Sequence, residues 1–195
     1  DRYQKVMSFC QMTEIKMAQG AKQTGGKLTG HKVTPAIAYY RNVEAYKDVF
    51  SPNRFPYANS IEELFDFIGT LQELSGKPVG MKIVISDMQN IEPYAKEIKR
   101  RVDLGIDAYP DYITLDSGSG GSATAPLEMM ERVGLNVRDS VYLVNKVLTD
   151  YGVRDKVRIV ASGKILTPDD IIIVMSLGAD FLQIARGFMM SAGCI

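Results

Sequence analysis

Residues 156–187 read KVRIVASGKILTPDDIIIVMSLGADFLQIARG, and this stretch decides the fold. KVRIVAS (156–162) predicts a strand. TPDDIIIVMSLGA (167–179) predicts a helix, with Thr167 as N-cap, Pro168 at the first helical position and Gly178 just past the end. DFLQIARG (180–187) predicts another strand. Two strands joined by a helix are parallel neighbours, buried on both faces.

The same alternation runs upstream. DYITLD (111–116) is β-branched and aromatic and predicts a strand, followed by a helix over NVRDSVYLVNKVLTDYG (136–152). PVGMKIVI (78–85) predicts a buried strand, followed by a helix over 91–105 closed by Gly105. A helix over 61–75 starts at a Ser60-x-x-Glu63 capping box. Residues 21–59 read as mostly irregular, with Pro35, Pro52 and Pro56 breaking any long element. A loop that long within a compact domain is usually functional or mobile. Strands at 79–85, 112–116, 157–161 and 181–185 suit either an open doubly wound sheet or the second half of a (β/α)8 barrel.

The chain has 195 residues and balances 23 basic against 23 acidic side chains. Zero net charge argues against nucleic-acid binding through charge alone, and no apolar run is long enough to span a membrane. Both ends begin or stop abruptly, which leads us to expect a fragment of something longer. The two cysteines, Cys10 and Cys194, form no disulfide framework and suit a cytoplasmic setting. Cys10 reads as a small buried residue.

Both candidate architectures bind ligands at the carboxyl ends of their strands. SGSGGSATAP follows DYITLD, ASGK follows KVRIV, and ARG follows DFLQI. Each loop is small and glycine-bearing, so backbone amides can approach a ligand, and the last two add the cations Lys164 and Arg186. Adjacent loops of this kind suit a phosphate. GSGGSA (118–123) also matches a dinucleotide fingerprint, but Pro126 interrupts the helix that motif requires, and Asp139 falls in a helix rather than at a strand end. Lys82 lies inside an apolar strand, where a charge needs an anion or a polar site. Residues 14–34, EIKMAQGAKQTGGKLTGHKVT, carry Lys16, Lys22, Lys27, Lys32 and His31 among four glycines, with no acid between Glu14 and Glu44.

EIKMAQGAK (14–22), GHKVTP (30–35), more loosely SPNRF (51–55), KPVGMK (77–82), GGSATAPLE (120–128), RDKVRIVASGKI (154–165), LGAD (177–180) and ARGFMMSAGCI (185–195) together resemble the FMN-binding glutamate synthase family. The resemblance implies a (β/α)8 TIM barrel, with this chain covering roughly its second half, strands four or five to eight. Residues 14–59 would be a long loop region covering the substrate. It implies FMN at the barrel mouth, its phosphate on Ser162, Gly163, Lys164, Ala185, Arg186 and Gly187. The ring would lie near Lys82 and the loop with Asp116, Ser117, Gly120 and Gly121. Lys16 and Lys22 would be catalytic, and with Gln19 and Lys27 would bind 2-oxoglutarate or its imine. The implied reaction reduces 2-iminoglutarate to glutamate. Cys194 would be one ligand of an iron–sulfur cluster in a longer parent.

The family's AKPGEGGQLPG stands here as AKQTGGKLTG, one residue shorter, with Lys27 in place of a substrate-binding Gln. An FMN oxidoreductase with another anionic substrate is therefore an alternative. A non-catalytic half-barrel, paired with its missing half or with a second copy, is another.

Overall fold

The computed structural model describes residues 2–21, 26–52, 54–120, 125–126 and 128–194. Along the chain run α1 (Arg2–Met7), β1 (Thr13–Lys16), β2 (Lys27–Leu28), α2 (Pro35–Arg41), β3 (Val49–Phe50), α3 (Ile61–Ser75), β4 (Val79–Ile83) and α4 (Met88–Leu104). These are followed by β5 (Tyr112–Asp116), α5 (Val137–Asp150), β6 (Arg158–Ser162), α6 (Pro168–Ser176), β7 (Phe181–Gln183) and α7 (Arg186–Ser191).

Five strands form one parallel sheet in the order β1-β4-β5-β6-β7, while β2 and β3 pair as a short antiparallel ribbon. The order in the large sheet never reverses. A doubly wound sheet needs a reversal and helices on both faces. Here Ile15, Met81, Ile83, Ile113, Leu115, Ile159 and Ala161 share one face and one core cluster with Leu64 and Phe65 of α3, Ile98 of α4 and Val144 of α5. The register places Glu14, Lys16, Lys82, Thr114, Asp116, Ser162 and Gln183 on the opposite face, and none of them belongs to that cluster. Helices on one face and polar side chains on the other form the wall of a barrel seen from its lumen.

Local signals set the elements. Ser60 caps α3, Asp87 caps α4 in a reciprocal box with Asn90, Asn136 caps α5, and Thr167 caps α6 with Asp170. Gly76 and Gly105 close α3 and α4 in the left-handed conformation. Buried Arg101 on α4 donates to Glu97 Oε1, Ala108 O and the Glu62 carbonyl of α3, tying the two helices together.

Several elements differ from the sequence reading. EIKM is not all loop: Thr13–Lys16 forms β1, whose one buried residue, Ile15, gives no periodic signal. Pro35 starts a helix rather than breaking one, because Thr34 Oγ1 caps Ile37 N and a proline at the first helical position costs no hydrogen bond. The last strand ends at Gln183, and Arg186 opens α7 rather than sitting in a turn. Cys10 is half-buried, beside an exposed Phe9. Among the described residues no helix is long and apolar enough to cross a membrane.

Candidate functional site

The register stacks the polar face in rows. Lys16, Lys82 and Thr114 share one level, and Asp116, Ser162 and Gln183 share the level above, at the carboxyl ends of the strands. Below them the Tyr112 ring lies against Gly80, where a Cβ would come within 2.3 Å of it, and the Tyr112 hydroxyl donates to Thr13 O at 2.9 Å. Burial, then the nearby Glu14 carboxylate, pushes this phenol up to about 12. Thr114 Oγ1 donates to Glu14. The lower lumen is therefore filled by side chains, and the open end lies above.

At that open end a cleft of about 370 Å³ is lined by Asp116, Gly120, Ser162, Gly163, Lys164, Gln183, Ala185 and Arg186. Seven of these are residues that the resemblance assigned to the cofactor. Gly163 has φ +114° and no room for a side chain, since a Cβ would stand 2.1 Å from Ser117 Oγ. Lys164 follows in the left-handed region at φ +51°, a strained conformation for a lysine. Its ammonium pairs with Glu131, whose carboxyl it holds below the usual range. Arg186 is exposed, and its guanidinium has no partner among the described residues. Gly187 follows it in α7. Ser117 is fully buried, and its hydroxyl finds no hydrogen-bond partner among the described residues.

A second cleft, of about 170 Å³, opens beside Lys16 and Gln19. Lys16 Nζ donates to Gln19 Oε1 at 2.7 Å. The chain between them stays against β4, with Met17 N donating to Lys82 O at 3.0 Å. Gly20 joins the two clefts: its N–H donates to Asp116 Oδ2 at 3.0 Å, and it packs so closely on Ser117 that no Cβ fits. Lys82 is half-buried, and its ammonium has no partner among the described residues. Lys27 is committed elsewhere: it pairs with Asp48 at 2.7 Å and lies over the Phe50 ring at 5.1 Å. Lys22 and Gly121 lie outside the described residues. Cys194 is exposed, and no group of three potential metal ligands gathers among the described residues. One thiolate does not hold an iron–sulfur cluster.

A family model described as a conserved region in glutamate synthase matches residues 3–195. The chain belongs to the glutamate synthase family. It is 41% identical over 182 residues to the glutamate synthase large subunit-like protein YerD of Bacillus subtilis, an alignment covering 93% of the chain and 34% of that relative. It is 35% identical over 184 residues to an archaeal-type glutamate synthase (NADPH) of Thermotoga maritima, covering 93% of the chain and 34% of the relative. The chain thus spans about a third of the length of these glutamate synthase relatives. In structure it resembles the crystal structure of DHODH in complex with ferulenol from Eimeria tenella, with a TM-score of 0.52 at 13% identity, over 100% of this chain and 50% of that one. That likeness supports the barrel-type fold alone. Glutamate synthases are oxidoreductases, so the family is an enzyme family.

Proposed function

We propose that this chain supplies the second half of an FMN-binding barrel whose reaction is the reduction of 2-iminoglutarate, formed from 2-oxoglutarate and ammonia, to glutamate. One observation carries the reading: Lys164, from the loop after β6, and Arg186, which opens α7 after β7, line a single cleft with Gly120, Gly163 and Ala185. Two cations beside residues without bulk fit a phosphate monoester, which needs charge and close backbone approach. The Ser117 hydroxyl, which has no hydrogen-bond partner among the described residues, lies against Gly163 at the edge of the same loops.

Bound there and reduced by an external electron donor, FMN would supply the hydride. The chain's own residues would do the rest. Lys164 and Arg186 would hold the phosphate. Lys82, half-buried and without a partner among the described residues, would hold negative charge on the lumen face. Lys16 and Gln19 would orient the anionic reactant, with Lys22 joining them. Asp116 would keep this loop against the cofactor cleft through Gly20 N–H. Burial on the lumen side would exclude water and strengthen each of these contacts.

A second reading is favoured by Lys27. Its ion pair with Asp48 withdraws the cation that stands where the family has a substrate-binding Gln, so the site would take a different anionic substrate.

The test uses the full-length protein. A flavin absorption band is expected, with Arg186→Ala and Lys164→Ala each weakening FMN binding by ~1–3 kcal/mol. Unchanged flavin retention in both variants would remove the phosphate assignment. Reoxidation of the reduced protein by 2-oxoglutarate plus ammonia, and not by other oxo-acids, would select the glutamate synthase reaction over the second reading.

A further inference from the structure

The cleft beside Lys16 contains a second cation that the family resemblance does not assign. Lys16, Gln19, Gly26, Ser51, Arg54 and Phe55 line it, and no Asp or Glu stands among its described lining residues. Lys16 donates to the Gln19 amide oxygen and Arg54 Nη2 donates to the Asn59 amide oxygen, so each cation leans on a neutral acceptor. Such a partner orients a cation without cancelling its charge. Three other cations meet carboxylates instead: Lys27 meets Asp48, Lys164 meets Glu131, and Arg154 meets Asp180.

Arg54 is also held in place. Asn59 N and Nδ2 donate to Glu63 Oε2 at 2.7 and 3.3 Å, and Glu63 lies in the first turn of α3. The helix therefore fixes the amide that positions the guanidinium, and the guanidinium retains unused donors.

We propose that Arg54 is the second carboxylate anchor of this cleft. Lys16 and Gln19 take one end of a short dicarboxylate, and the planar fork of Arg54 takes the other in a bidentate pair. Pro52 and Phe55 supply the apolar wall for the methylenes between. This inference rests on the reading that the cleft receives a small anionic substrate.

Calorimetric titration of the full-length protein tests it, with glutarate as the dicarboxylate, butyrate as the monocarboxylate and the visible spectrum as the record of bound flavin. Glutarate should bind roughly tenfold or more tightly than butyrate. Arg54→Gln should remove that preference with flavin content unchanged, and Arg54→Lys should restore part of it. Asn59→Asp keeps the arginine but gives it an internal carboxylate, and should also weaken glutarate binding. This second variant reads the charge of Arg54 even if Arg54→Gln folds poorly. Equal glutarate affinity in the native protein and the Asn59→Asp and Arg54→Gln variants, or no preference for glutarate in the native protein, would overturn the proposal. Absence of flavin would count instead against the proposed function, and the anion titration would still be read.

Discussion

Along β4 and β5, neighbouring residues face opposite environments. Met81, Ile83, Ile113 and Leu115 turn toward the helices and are at most 6% exposed. Lys82, Thr114 and Asp116 turn toward the lumen and meet polar or charged groups, or nothing at all among the described residues. The two faces divide the work of the molecule. The helix face stabilises the wall by removing apolar surface from water, and the lumen face carries the charged and polar side chains on which the proposed function rests. A shift of one residue in register would exchange them, which is why the register must be strongly specified here.

The largest expected effect comes from breaking the helix face. Met81→Ala leaves a cavity at a site of 0% exposure and should cost about 2–5 kcal/mol in urea unfolding. Lys82→Met, one residue along, should cost little stability but should weaken ligand binding, which separates the two faces within a single strand. Equal losses from both variants would show that the faces are not divided in this way.

Gly163→Ala comes next. It places a methyl group where only 2.1 Å separates it from Ser117 Oγ, at φ +114°, so about 1–3 kcal/mol of strain is expected. Loss of bound FMN should exceed any loss of thermal stability, because the strain falls on the lumen loop. A double variant with Ser117→Gly removes the clash but not the backbone strain, and should recover only part of the binding.

Asp116→Asn has a smaller expected effect. It weakens a charge-assisted bond to Gly20 N–H by about 1 kcal/mol. KM for the anionic substrate should rise while flavin content stays constant. A fall in flavin content without a change in KM would place Asp116 with the cofactor alone.

The smallest effect concerns Asp170, at the start of α6 on the helix side. The Arg138 guanidinium, followed by the Leu166 and Thr167 groups, holds its carboxyl at about 2, below the ordinary 3.8. A carboxyl lowered on folding contributes stability above its unfolded value, and that contribution is lost as pH falls through the folded one. Stability that depends on Asp170 should therefore fade between about pH 4 and pH 2, and Asp170→Asn should flatten this part of an acid unfolding curve.

The helices and central strands could be read from the sequence because their signals are local. Thr167, Pro168 and Gly178 mark α6, Ser60 marks the start of α3, and DYITLD carries the composition of a buried strand. The segments with Lys164 and Arg186 could be singled out as ligand-binding candidates for the same reason: glycine and a cation after a strand is a short-range pattern. β1 and Arg54 were not legible. β1 is four residues with one buried side chain, stabilised by pairing with β4 across more than sixty positions. Arg54 acquires its setting from Asn59 and Glu63 and its neighbour Lys16 from a distant strand.

By itself, the sequence determined which segments become helix or strand, the parallel order implied by their alternation, and the chemistry of each loop. Only the tertiary structure decided that the sheet runs without reversal and that Lys164 and Arg186 share a cleft. It also decided that Lys27 is neutralised by Asp48 while Lys16 and Arg54 keep their charge. Hydrogen bonds within a turn depend on neighbours in the chain. Whether a charge meets an opposite charge depends on partners that folding brings from far along it.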